Sequence, residues 1–168
     1  VQLGQTLRGM GCDVLCVKDM AGLLSPRDAY DLVSGLVHDV GLPVHLHCHS
    51  TSGMAEATYF EAARAGVSVI DGAISSLAGG TSQPPTATLV AMLRGTPSET
   101  PLDLTLLGAI AAHFREARKR YARFAPDSTG VDTRVLPHHI PGRLRAPLAN
   151  QLPPPHAPDR LDPVRSEV

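Results

Sequence analysis

The chain has 168 residues, is 43% apolar and only 4% aromatic with no Trp, and carries a formal net charge of −1. That is enough apolar material for a domain-sized core built on Ala, Leu and Val, and the near-neutral balance gives no global attraction to nucleic acid or an anionic membrane surface. No apolar run reaches the roughly 18 residues of a membrane span, no stretch reads as a signal peptide, and Cys12, Cys16 and Cys48 lack metal-ribbon spacing, so they read as reduced thiols of a cytoplasmic protein.

Residues 1–11 read as the second half of an amphipathic helix, with Leu3, Leu7 and Met10 spaced four and three apart and no start signal before them, as if the chain began inside a larger fold. Asp13–Val17 is a short, nearly continuous apolar run, as expected of a parallel strand covered on both faces. Ser25 then offers an N-cap with Pro26 at the first helical position. Ala29, Leu32, Val33, Leu36, Val37 and Val40 follow with helical period up to Gly41. The pattern repeats: strand Val44–Cys48, a helix over 53–65 capped by Ser52, strand Val67–Asp71, and a helix from Pro85 to Leu93 closed by Gly95. Strands alternating with helices at this spacing predict a parallel α/β fold, and three units are too few for the eight of a closed barrel.

Past Pro101 the pattern becomes one long helix over 102–124. Leu102, Leu106, Ile110, Phe114, Ala117, Tyr121 and Phe124 form its apolar stripe, and Arg115, Arg118, Lys119, Arg120 and Arg123 spread round the other sides. Cations near a helix C-terminus are favoured by the dipole and no aromatic stacking platform accompanies them, so they read as a solvated face and not a nucleic-acid patch. From about Arg143 the composition collapses into Pro, Arg and Ala without periodicity, which predicts a disordered tail over 143–168.

Within the second strand, a period of two places His45, His47 and His49 on one face and Leu46 and Cys48 on the other. Two readings are open at this point: a row of hydrogen-bonded core histidines, or a metal site at the end of a strand, because His-x-His can put two imidazoles on one cation. Cys48 alternates away from the histidines and is rejected as a ligand or nucleophile. Lys18, taken alone, reads as a surface cation whose stem packs on apolar neighbours.

Four runs together carry a family resemblance: Val17-Lys18-Asp19-Met20-Ala21-Gly22-Leu23-Leu24-Ser25-Pro26, His45-Leu46-His47-Cys48-His49-Ser50-Thr51-Ser52-Gly53, Asp71-Gly72-Ala73-Ile74-Ser75-Ser76, and Gly79-Gly80-Thr81-Ser82-Gln83-Pro84-Pro85. In this order they resemble the carboxyltransferase domain of biotin-dependent enzymes, the group of pyruvate carboxylase, the oxaloacetate decarboxylase α subunit and transcarboxylase. The resemblance covers roughly residues 1–142. It implies the last part of a (β/α)8 TIM barrel over residues 1–96, the start of a helical funnel domain over 97–142, and transfer of a carboxyl group between carboxybiotin and pyruvate or oxaloacetate. It also implies a divalent metal (zinc, manganese or cobalt) held by His47, His49 and a carbamylated Lys18, with His45 a supporting residue beneath them. Thr81, Ser82 and Gln83 would lie in a substrate or biotin loop, although Ser82 as a helix cap reads equally well. Biotin would arrive on a separate carrier domain. Carrier, biotin carboxylase and further copies of the chain are the implied partners.

Departures from the family are equally specific. The family's fourth metal ligand, an Asp, and its substrate-binding Arg and Gln belong to a half-barrel whose motifs this sequence lacks. The run Asp132-Thr133-Arg134-Val135 with His138-His139-Ile140-Pro141-Gly142 fits the funnel domain, but it continues as Arg143-Leu144-Arg145-Ala146-Pro147, without the Thr or Ser that shuttles a proton in the family. A shift of reading frame near codon 143 would give such a tail. Two alternatives follow: a non-catalytic remnant, and a different metal-dependent aldol-type lyase or synthase on a related barrel, although those enzymes normally lack Lys-Asp-Met-Ala-Gly.

Overall fold

The computed structural model describes residues 1–124 and 130–138. In chain order these form α1 (Gln2–Gly9), β1 (Leu15–Asp19), α2 (Pro26–Gly35), β2 (Val44–Cys48), α3 (Ala55–Arg64), β3 (Val69–Ile70), α4 (Thr86–Leu93), α5 (Leu104–Arg120) and α6 (Val135–His138). The strands make one parallel sheet in the order β1-β2-β3, with Lys18 paired to His47 and His45 to Val69.

Local chemistry explains most boundaries. At α2 the Ser25 hydroxyl oxygen accepts the Asp28 N–H at 3.1 Å, and Pro26 occupies the first turn, where a missing N–H is harmless. The helix loosens into a π turn over Leu36–Val40 and stops at Gly41, whose φ of 69° is the left-handed conformation that glycine adopts without strain. Ala29, Val33, Leu36 and Val40 are buried along one side, so the face predicted from period is the face that packs.

The core lies between the sheet and helices α2 and α3, which pack on each other. Val44, Leu46 and Cys48 of β2 and Ala55, Tyr59 and Ala62 of α3 are all fully buried in it. Burying a Leu or Val side chain contributes about 1.5–3 kcal/mol, so this short run of contacts fixes which face of β2 turns inward.

Several predicted boundaries move. The third strand spans only Val69–Ile70, although Ser68 N–H to Val44 O at 2.8 Å and Asp71 N–H to Leu46 O at 3.2 Å continue its bonding to β2. Beyond Asp71 the chain turns away, and the Tyr59 hydroxyl takes over, accepting the Cys48 N–H at 2.7 Å and donating to the Cys48 carbonyl at 3.3 Å. Ser52 does not cap a helix starting at 53: α3 begins at Ala55, and the Ser52 hydroxyl donates to the Gly22 carbonyl, tying two loops together. Nor does Ser82 cap α4, whose N-cap is Pro85; the Ser82 hydroxyl points to Gln83 Oε1 at 3.4 Å.

The largest correction concerns the long helix. It starts at Leu104, capped by Asp103 Oδ1 on the Thr105 N–H at 2.7 Å, and ends at Arg120 before a 3-10 turn over Ala122–Phe124. Ala111 is its one buried residue among those described, while Leu106, Tyr121 and Phe124 of the expected stripe are exposed. Leu104, Leu107, Ile110 and Ala117 are half-buried beside Ala111, so the helix, which packs on α4, shelters only part of the predicted stripe. The predicted disordered tail over 143–168 and the run His139–Gly142 lie outside the described residues.

Candidate metal centre

Alternation along β2 puts His45 and His47 on the face opposite the core, and His49, the residue after the strand, meets the same Gln83 amide as His47. Each imidazole meets a different fixed partner. His45 Nε2 lies 2.8 Å from Asp71 Oδ1, and His47 Nδ1 lies 2.6 Å from Asp71 Oδ2. His49 Nδ1 lies 2.6 Å from the Thr81 carbonyl oxygen. Carboxylate and carbonyl oxygens only accept, so the facing ring nitrogens are the ones that carry hydrogen.

For His47 and His49 this leaves Nε2 as the lone-pair nitrogen. The two Nε2 atoms converge on one point, now taken by the Gln83 side-chain amide nitrogen at 3.4 Å and 3.2 Å respectively. The rings stand 5.2 Å apart, tilted by 60°. Two imidazoles with Nδ1 tied to acceptors and Nε2 directed together are the donor arrangement that transition-metal and zinc sites use. The pair therefore fits a divalent metal. Among the described residues no cluster of three or more His, Cys, Asp or Glu side chains is placed to hold one.

Lys18 is level with His47 in the sheet register and projects on the same face, at the C-terminal end of β1. Its charge lies close enough to disfavour protonation of His49. Burial is the main cause of the lowered His49 pKa; the hydrogen bond to Thr81 O opposes it, and the His47 and Lys18 charges add to it. A His held neutral keeps its lone pair available for a metal. Burial pushes the Asp71 carboxyl up, but hydrogen bonds from His47 and His45 outweigh it and leave the group below its ordinary value.

The loops that carry these groups are stitched together. Asp19 accepts the N–H groups of Ala21, Gly22 and Leu24 at 3.2, 2.9 and 2.8 Å, which folds the chain after Lys18 into a compact turn. Gly22 has φ 70° and sits against the His49 carbonyl, where a Cβ would collide. Ser50 N–H donates to the Ser82 carbonyl at 2.8 Å, and Asp132 N–H donates to the Thr51 carbonyl at 2.8 Å. Thr81 and Ser82 also line a cavity of about 450 Å³ walled by Phe114, Tyr121 and Phe124, on the α5 side of the loop. Gln83 alone of the three loop residues reaches the imidazoles with its side chain; Thr81 contributes its carbonyl. Cys48 is buried on the far face, where its thiol donates to Asp19 Oδ2 at 3.3 Å, and burial, with Asp19 adding, pushes its pKa up.

Sequence reasoning missed the part played by Asp71 and Asp19, though both lie within the runs that carry the resemblance. Asp71 could have been found from strand pairing, because a register of His45 with Val69 places His47 level with Asp71.

A model of the HMGL-like family matches residues 1–113. A pyruvate carboxylase subunit of Methanocaldococcus jannaschii is 44% identical over an alignment covering 100% of this chain and 30% of the relative. The methylmalonyl-CoA carboxyltransferase 5S subunit of Propionibacterium freudenreichii subsp. shermanii is 39% identical, covering 100% of this chain and 34% of its own length. A solved structure of the carboxyl transferase domain from Rhizobium etli pyruvate carboxylase with pyruvate superposes with a TM-score of 0.86 at 38% identity, covering 89% of this chain and 25% of that one. The chain thus spans about a third of the length of these curated relatives. Its α/β fold matches part of a carboxyltransferase TIM-barrel domain.

Proposed function

The chain belongs to the HMGL-like family, and on that footing we propose that it supplies the metal-binding side of a biotin-dependent carboxyltransferase acting on pyruvate or oxaloacetate. The observation that carries this reading is the convergence of His47 Nε2 and His49 Nε2 on one point beside Lys18, at the C-terminal ends of parallel strands, where barrel active sites lie. Bound there by His47, His49 and a carbamylated Lys18, a zinc, manganese or cobalt ion would supply Lewis acidity at the keto oxygen of the substrate. Biotin on a separate carrier domain would supply the carboxyl group.

The residues of this chain hold and orient. Thr81 O and Asp71 keep the two ligand imidazoles in the required tautomer. Lys18 reaches the ligating form by losing its proton and adding carbon dioxide, which forms an N–C bond, releases a second proton and leaves an anionic carbamate oxygen. With a metal held by the Nε2 pair, Gln83 would give up its contact there, and its amide would be free to hydrogen-bond substrate or biotin with Thr81 and Ser82. Carrier and carboxylase subunits are the partners, further copies of the chain complete the assembly, and the cytoplasm is the compartment.

One observation favours a second reading, a remnant without catalysis: among the described residues the His pair has no third His, Cys, Asp or Glu donor. Equilibrium dialysis of the purified chain against zinc, manganese and cobalt, with an oxaloacetate decarboxylation assay alongside, tests both. Weak uptake of one metal, lost in His47→Ala and in His49→Ala, is expected, with no turnover by the chain alone. Uptake unaffected by either substitution would overturn the metal centre, and turnover by the chain alone would overturn the remnant.

A further inference from the structure

His45 and His47 share one face of β2 and His49 follows the strand, yet only His47 and His49 aim Nε2 at a common point. The difference traces to one carboxylate. Asp71 follows β3 by one residue, level with His47 in the register, and both of its oxygens are occupied: Oδ1 by His45 Nε2 at 2.8 Å and Oδ2 by His47 Nδ1 at 2.6 Å.

We propose that Asp71 is a positioning residue that selects which histidines of β2 become metal ligands, fixing His47 as the Nδ1–H tautomer and His45 as the opposite, Nε2–H tautomer. A carboxylate accepts and does not donate, so each ring nitrogen facing it carries hydrogen, and a neutral imidazole has only one. For His47 the lone pair is therefore on Nε2, the far end of the ring, where it meets the Nε2 of His49. For His45 the far end is the one consumed, and its lone pair is left on Nδ1, close to the backbone. The two imidazoles are alike in sequence context and opposite in chemistry because they approach one carboxylate from different ring edges. With Asp71 replaced by an amide, one of the two contacts must be lost or inverted, since an amide offers one acceptor and one donor in place of two acceptors.

This inference rests on the reading of His47 and His49 as ligands, but its tautomer content does not require metal. The test uses the full 168-residue chain labelled with 15N, recording long-range 1H–15N correlations of the imidazoles without metal and zinc affinity by calorimetry, for the parent, Asp71→Asn and His45→Gln. The parent is expected to show His47 as Nδ1–H and His45 as Nε2–H. Asp71→Asn is expected to disturb at least one of these tautomers and to weaken zinc binding by about 10–100-fold. His45→Gln, which keeps a donor toward Asp71, is expected to leave His47 and the affinity unchanged. A parent His47 in the Nε2–H form, or tautomers and affinity indifferent to Asp71→Asn, would overturn the proposal. Should Asp71→Asn fail to fold by circular dichroism, the parent tautomer pattern and His45→Gln decide the matter. A parent that binds no zinc yet shows the stated tautomers supports the orienting role and overturns only the metal reading beneath it.

Discussion

Along β2, Val44, Leu46 and Cys48 are fully buried, while His45 and His47 between them keep 28% and 20% of their side-chain surface. One five-residue strand thus presents two surfaces with different physics. The inner one is apolar, closely packed and indifferent to chemistry; the outer one is polar, partly wet and held by directed hydrogen bonds. Because side chains alternate strictly, every residue that anchors the inner face also fixes where an imidazole stands on the outer one. Stability and site geometry are therefore coupled through register, and separable through side-chain chemistry.

Substitutions that respect this division should separate the two properties. The largest effect is expected from Leu46→Ala, which empties a fully buried position in the middle of the core and should cost about 2–5 kcal/mol in chemical denaturation. A cost below about 1 kcal/mol would mean that the inner face does not anchor the strand. Tyr59→Phe should cost less, about 1–3 kcal/mol, by stranding the Cys48 N–H and carbonyl where β3 has already turned away. Hydrogen exchange at the Cys48 amide reads this directly, and protection unchanged from the parent would show that another group satisfies it.

What the sequence revealed and what it hid follow the same division. The Ser25 cap, the Gly41 stop and the alternation of β2 are local signals, and each lies where its residues predict. Strand pairing sets Lys18 level with His47 on adjacent strands. The residues that hold the histidines were hidden, because Asp71 and Thr81 lie 24 and 32 residues away in sequence and meet them only through strand pairing and loop closure. Ser52 misled for a related reason: its hydroxyl donates to the Gly22 carbonyl and accepts the Met54 N–H at 3.3 Å, so it braces the loop before α3 and not a helix starting at 53. On α5 the hydropathy suggested a stripe through Leu102 and Leu106, yet both are exposed and Leu104 and Leu107 are half-buried in their place.

The most direct test of a division between a holding face and a binding face is a zinc titration followed through the 15N resonances of the imidazoles. The geometry predicts that Nε2 of His47 and of His49 shift together and saturate at one metal per chain, while both rings keep their Nδ1–H and His45 stays in place. Coordination by His45, or titration that leaves His47 and His49 unmoved, would contradict it.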